Sequence, residues 1–166
     1  MKARELALGG LFTALSLLIP LTFGPYLRIL VGPFSATLAS HVPLFLAALV
    51  SPMAAATVGA ASAFGFLVTT TPVIAARALS HIVVGFVAAA IVKNGKPLYL
   101  ALLIVLPIHA IAEALVVVPF GFDLYNVGVV VGVGTALHHL MDSAIALGIV
   151  KVLGLGRLTA WARYES

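Results

Sequence analysis

Cysteine is absent from this 166-residue chain, which excludes disulfides, thiolate metal sites and cysteine nucleophiles. Charge is nearly absent too: Asp, Glu, Lys and Arg together make up 8% of the residues, where a soluble domain carries about 25%. Hydrophobic residues make up 63%, and mean hydropathy is +1.22. That balance belongs to an integral membrane protein. No GxSxG turn and no Walker P-loop occurs, so neither a hydrolase serine nor self-contained ATP hydrolysis is supported. HAIAE (109–113) and HHLMD (138–142) differ from the HExxH zinc-protease pattern in order and spacing. His41, His81, His109 and His138 fall on four different segments at different expected depths. No catalytic residue, metal site or cofactor is expected on these grounds, and an intramembrane enzyme using the histidines ranks last.

The length suits about six spans of roughly 20 residues each, in one transmembrane domain over 1–166. Turn chemistry divides an all-α bundle into helices at about 5–23, 33–50, 52–69, 72–92, 98–119 and 124–153. Gly24-Pro25 and Gly32-Pro33 bracket a first loop, and Ser51-Pro52 makes a tight second turn. Thr71-Pro72 opens the fourth helix, Asn94-Gly95 closes it, and Pro119-Phe120-Gly121 ends the fifth. The last segment holds Gly128, Gly132 and Gly134 and is long for one span, so its start is expected to be re-entrant or partly unwound. Residues 1–23 have a signal-peptide look without a small-residue cleavage site, and read as a retained helix.

Seven of the nine basic residues orient the map. Lys2, Arg4, Lys93, Lys96, Lys151, Arg157 and Arg163 fall at the N-terminus, the fourth-to-fifth loop and the C-terminus. With six spans these share one side, the cytoplasmic one by the positive-inside rule, giving an N-in, C-in topology in a cell membrane. The pI near 9.8 therefore reflects orientation in a bilayer and not nucleic-acid binding.

Arg77 lies inside an apolar stretch, PVIAARALSHIVVGFVAAAIV (72–92). A charge at mid-bilayer costs about 2.5–3.5 kcal/mol on insertion scales, so such residues face protein-lined cavities and pair. By helical rise Arg77 lies about 8 Å in, with His81 one turn deeper on the same face. Glu113, with His109 one turn below it, reaches a similar depth from the other direction. Arg77, His81, His109 and Glu113 thus converge in one outward-facing half, with His41 near mid-depth and Asn126, Asp123, Tyr125 and Arg28 at the mouth. Arg77 with Glu113 also suits a plain structural ion pair. His138 with Asp142 reads as a structural pair first and a proton relay second. A proton path through Glu113, His138 and Asp142 would make the chain a stand-alone carrier of a small organic anion, but no inverted repeat is visible.

Small residues recur at four-residue spacing along the first helix: Ala3 and Ala7, then Gly10 and Ala14. Such a strip lets another helix approach closely. The length, the basic N-terminus, the ALGGLFTAL opening and the outer first loop resemble the substrate-binding S-components of energy-coupling factor (ECF) vitamin transporters. GPFSATLASHVPLFLAALVSP (32–52) and PVIAARALSHIVVGF (72–86) are similar to the niacin-type members. The resemblance covers essentially the whole chain and implies a bacterial vitamin-binding subunit. It implies docking through Ala7, Gly10 and Ala14 on a transmembrane coupling subunit, with power drawn from two partner ATPases. Met1-Lys2 departs from the Met-His start of the cobalt and nickel members. A nicotinate carboxylate suits a bidentate grip by Arg77, its ring nitrogen suits a histidine, and Tyr26, Phe34, Phe64 or Phe66 could cover the ring.

Overall fold

The computed structural model describes residues 3–156. Lys2, Arg157 and Arg163, three of the orienting residues, lie outside that range. Helix α1 (Ala3–Leu18) continues through a π-helical turn (Ile19–Phe23) into the short α2 (Gly24–Leu27). A hairpin of β1 (Arg28–Val31) and β2 (Phe34–Thr37) follows, then α3 (Val42–Ala47), α4 (Pro52–Thr69), α5 (Pro72–Ala78) and α6 (Ser80–Lys93). The described residues end with α7 (Leu98–Val117), a 3-10 turn (Val118–Phe120), a π-helical segment (Asn126–Val133) and α8 (Gly134–Val152). Among the described residues, five continuous helical stretches are long and apolar enough to cross a membrane: Ala3–Leu27, Pro52–Thr69, Pro72–Lys93, Leu98–Phe120 and Asn126–Val152. This is a multi-pass membrane protein. Leu11, Phe64, Ile111, Leu137 and other large apolar side chains point outward, as a bilayer requires.

Most breaks fall where turn chemistry places them. The Ser51 hydroxyl accepts the Ala54 amide at 3.2 Å, and Pro52 fills the first turn of α4, where its missing N–H costs nothing. Thr71 is extended before Pro72. Gly95 and Gly121 take left-handed φ of 87° and 81° just beyond α6 and the 3-10 turn.

Three expectations need correction. The first helix does not stop at Gly24-Pro25. Gly24 keeps helical angles, Pro25 sits in the first turn of α2, and the π-helical turn just before it contains Pro20. The last segment is not unwound: residues 126–133 form a wide helical turn continuous with α8. The largest difference is at 33–50, which is no single helix and adds β structure to the expected all-α bundle. Gly32-Pro33 is a two-residue hairpin turn with φ of 55° at Gly32, pairing Val31 with Phe34 and Arg28 with Thr37. Positive φ at the first central position followed by proline is the primed-turn geometry that matches strand twist.

Residues 40–50 are all buried. Irregular backbone is tolerated at membrane depth only when protein satisfies it. Here side chains do so: Asp142 accepts the Ala39 and His41 amides at 2.8 and 3.0 Å. Those bonds also hold Ala39 at a φ of 67°, which an alanine rarely adopts.

Glycines set the closest helix contacts. A Cβ on Gly59 would lie 2.6 Å from the His81 backbone, and one on Gly85 would lie 3.0 Å from the Ala55 carbonyl. Helices α4 and α6 therefore meet nearly backbone to backbone, which fixes the position of His81. Leu8, Ala54, Val92, Leu98 and Val150 share one apolar core with α3. The starts of α1, α4 and α7 and the ends of α6 and α8 thus lie at the same end of the bundle.

A buried histidine and carboxylate site

Polar residues of the hairpin, of the turn just before α3 and of four helices converge on one cleft. Ser35, Thr37, Ser40, His41, Arg77 and Glu113 line its polar wall, and Phe66 and Ile74 its apolar one.

Arg77 and Glu113, expected at similar depth on different helices, meet directly through Nη2 and Oε2. Arg77 Nη1 donates to the Pro33 carbonyl at 2.9 Å, and the guanidinium lies 5.1 Å from the Phe34 ring centroid. Its Nε–H has no protein partner. Thr135 donates to the same Glu113 oxygen at 2.5 Å and accepts from Arg77 at 3.4 Å. The other oxygen, Oε1, lies 3.3 Å from His109 Nε2 and 3.5 Å from His81 Nε2. Two ions taken out of water cost several kcal/mol each, which a lone contact seldom recovers; the extra donors are what make this pair tenable.

All five histidines join the network, contrary to the expected scatter in depth. His81 Nε2 is 3.1 Å from His41 Nε2, and its Nδ1 is 3.1 Å from Ser62 Oγ. His41 Nδ1 lies 3.0 Å from Asp142 Oδ2, and His138 Nε2 lies 3.1 Å from the same oxygen and 3.2 Å from the Thr37 carbonyl. His109 Nδ1 meets His139 Nδ1 at 3.0 Å, and His139 Nε2 reaches the Leu102 carbonyl at 3.0 Å. The earlier depth assignment treats each segment as a straight helix. The irregular 38–51 stretch instead brings His41 between α6 and α8.

Asn126 stands apart. Its amide and side chain donate to Asp123 at 2.8 and 3.0 Å, and it packs by the hairpin turn at Gly32. Those donors hold the exposed Asp123 carboxyl below its usual range. Phe34 and Phe66 reach the cleft region, while Tyr26 and Phe64 are exposed. Arg28 donates to the Thr69 carbonyl at 3.3 Å and to Thr37 Oγ1 at 3.4 Å, closing one side of the mouth. Sequence reasoning passed over Ser62, Thr135 and His139. Thr135, His138, His139 and Asp142 follow i, i+3, i+4, i+7 spacing, so a polar stripe on α8 is the signal that would have found two of them.

The fold defines a small helical membrane protein with a polar cleft buried inside its bundle. The chain is 33% identical over 170 aligned positions to the niacin transporter NiaX of Lactococcus lactis subsp. cremoris (strain MG1363), covering 92% of this chain and 75% of that protein. It belongs to the niacin-type S-component family of ECF transporters. No family model and no solved structure matches it.

Proposed function

We propose that this protein is the substrate-binding S-component of an ECF-type importer in a bacterial cell membrane, and that its substrate is nicotinate. The observation that carries the reading is the kinship with a niacin transporter over 92% of the chain, joined to a buried polar cleft walled by Arg77. Arg77 already spends one Nη on Glu113 and the other on Pro33, so a bidentate grip on a substrate carboxylate by both terminal nitrogens is not available as it stands. The unpartnered Nε–H is the donor left for it. Phe66 and Ile74 cover the ring.

Six crossings with both ends inside fit the bundle. The starts of α1 and α4 lie at the same end, so the chain must return between them. Residues 28–50 make that return as a hairpin and a short buried helix.

On α1, Ala7, Gly10 and Ala14 are exposed, and a side chain at Gly10 would meet nothing within 4 Å. Gly9, in contrast, faces Ala54 of α4 at 3.4 Å. The strip is therefore free for a coupling subunit, with two ATPases supplying power.

Co-expression tests the assignment. The protein should co-purify with a coupling subunit and two ATPases, and cells holding all four should take up labelled nicotinate. Nicotinate accumulation by the isolated protein in liposomes, driven by a proton gradient alone, would replace this reading with the stand-alone carrier.

A further inference from the structure

The hydrogen-bond network fixes where several histidine protons sit. His139 Nε2 faces the Leu102 carbonyl, so it carries a proton and its Nδ1 is bare. That bare nitrogen can only accept, so His109 Nδ1 is the donor across their 3.0 Å contact. His109 Nε2 is then a lone pair, fully buried, without a hydrogen-bond partner, and 3.3 Å from a carboxylate oxygen. His41 Nδ1 lies 3.0 Å from Asp142 Oδ2 without making a hydrogen bond to it, and its Nε2 meets His81 Nε2 at 3.1 Å. His81 Nε2 completes the group, because the Ser62 hydroxyl can accept from His81 Nδ1. Three imidazole nitrogens and a carboxylate oxygen thus face one another at the centre of the bundle. Left alone, the His109 lone pair and the carboxylate oxygen repel.

The spacing says what belongs between them. Zinc binds imidazole nitrogen and carboxylate oxygen at about 2.0–2.2 Å, so neighbouring ligand atoms on a tetrahedron stand about 3.3–3.5 Å apart. Three of the six edges are 3.1 Å (His41 to His81), 3.5 Å (His81 to Glu113) and 3.3 Å (His109 to Glu113). Ligand atoms from all four residues lie within 4.8 Å of one another. We propose that His41, His81 and His109, each through Nε2, and Glu113 through Oε1 hold a divalent transition-metal ion of the zinc class.

Each ligand also has the outer partner that metal-bound groups use to fix their orientation: Asp142 behind His41, Ser62 behind His81, His139 behind His109, and Arg77 with Thr135 behind Glu113. Three imidazoles with a single oxygen select zinc-like ions over magnesium or calcium. The neighbouring group of His41, His138 and Asp142 is not the site, because His138 Nε2 faces the Thr37 carbonyl and must keep its proton. Charge agrees. One arginine against two buried carboxylates leaves the network one charge negative; a divalent ion makes it one charge positive. That positive centre would suit a monoanion in the adjoining cleft, a point that alone rests on the nicotinate reading.

The test uses full-length protein purified in detergent without a polyhistidine tag, stripped with chelator and titrated with Co²⁺ and then Zn²⁺. About one ion per chain should bind, with the visible absorption of four-coordinate Co²⁺ that Zn²⁺ abolishes. Asp142→Asn, which leaves every ligand in place, should weaken binding by about 10–100-fold, and His109→Ala should weaken it further. No stoichiometric ion in the wild type, or a six-coordinate Co²⁺ spectrum, would overturn the site whatever the variants do. So would His41→Ala and His109→Ala variants that bind as tightly as wild type. Nicotinate is titrated separately, so protein that binds metal but not nicotinate refutes the substrate and not the ion site.

Discussion

Arg77 joins three parts of the molecule that a bilayer would otherwise let drift apart: the hairpin through Pro33, α7 through Glu113 and α8 through Thr135. Removing one member of a buried pair strands the other charge, which costs about 3–5 kcal/mol. Arg77→Ala should therefore lower the unfolding free energy of the detergent-purified protein by that order, read from its unfolding transition. Arg77→Lys should restore little, because a single ammonium cannot reach a carbonyl and a carboxylate in different directions. An Arg77→Ala protein as stable as wild type would mean that Glu113 is held by Thr135 and the histidines alone. The pairing of Arg77 with Glu113 was legible in the sequence because both sit on regular helices, where rise and direction give depth. The place of His41 was not, because depth along an irregular stretch does not follow from residue count.

At the scale of elements, two glycine-bearing contacts carry opposite duties. Gly59 lets α4 touch the backbone of α6 at His81, and a methyl group there would sit 2.6 Å from carbonyl atoms that cannot turn away. Gly59→Ala should cost about 1–3 kcal/mol by forcing the helices apart, and should weaken ligand binding as His81 moves. Thermal unfolding and binding measured on the same preparation check both. On α1 the outcome should depend on the face. Gly10→Trp and Ala14→Trp, on the exposed strip, should abolish uptake while purified protein still binds substrate. Gly9→Trp, packed on Ala54, should instead unfold the protein or block its assembly. If Gly10→Trp and Ala14→Trp leave uptake intact, the strip is not the docking surface. The helices on either side of the 28–50 region were legible from proline, glycine and serine caps. That region was not, because the hairpin strands Arg28–Val31 and Phe34–Thr37 are only four residues each, too short for a period-2 pattern to stand out. It holds its shape through Asp142, Arg77 and His138, which lie far along the chain.

For the whole molecule, the composition reveals a membrane bundle, and the shared core at one end of it fits an even number of crossings. The absence of native cysteine makes the orientation simple to test. In intact cells an impermeant thiol reagent should label Asp123→Cys and spare Lys96→Cys; the reverse pattern would invert the topology. The central claim is that this bundle closes a cleft around a small aromatic carboxylate. Isothermal titration of nicotinate and of nicotinamide into the purified wild-type protein tests it most directly. Nicotinate should bind, nicotinamide should bind far more weakly, and Arg77→Ala should lose about 100-fold in nicotinate affinity as its charge-assisted bond goes. Equal affinity for acid and amide, or an Arg77→Ala variant that binds nicotinate as wild type does, would contradict it.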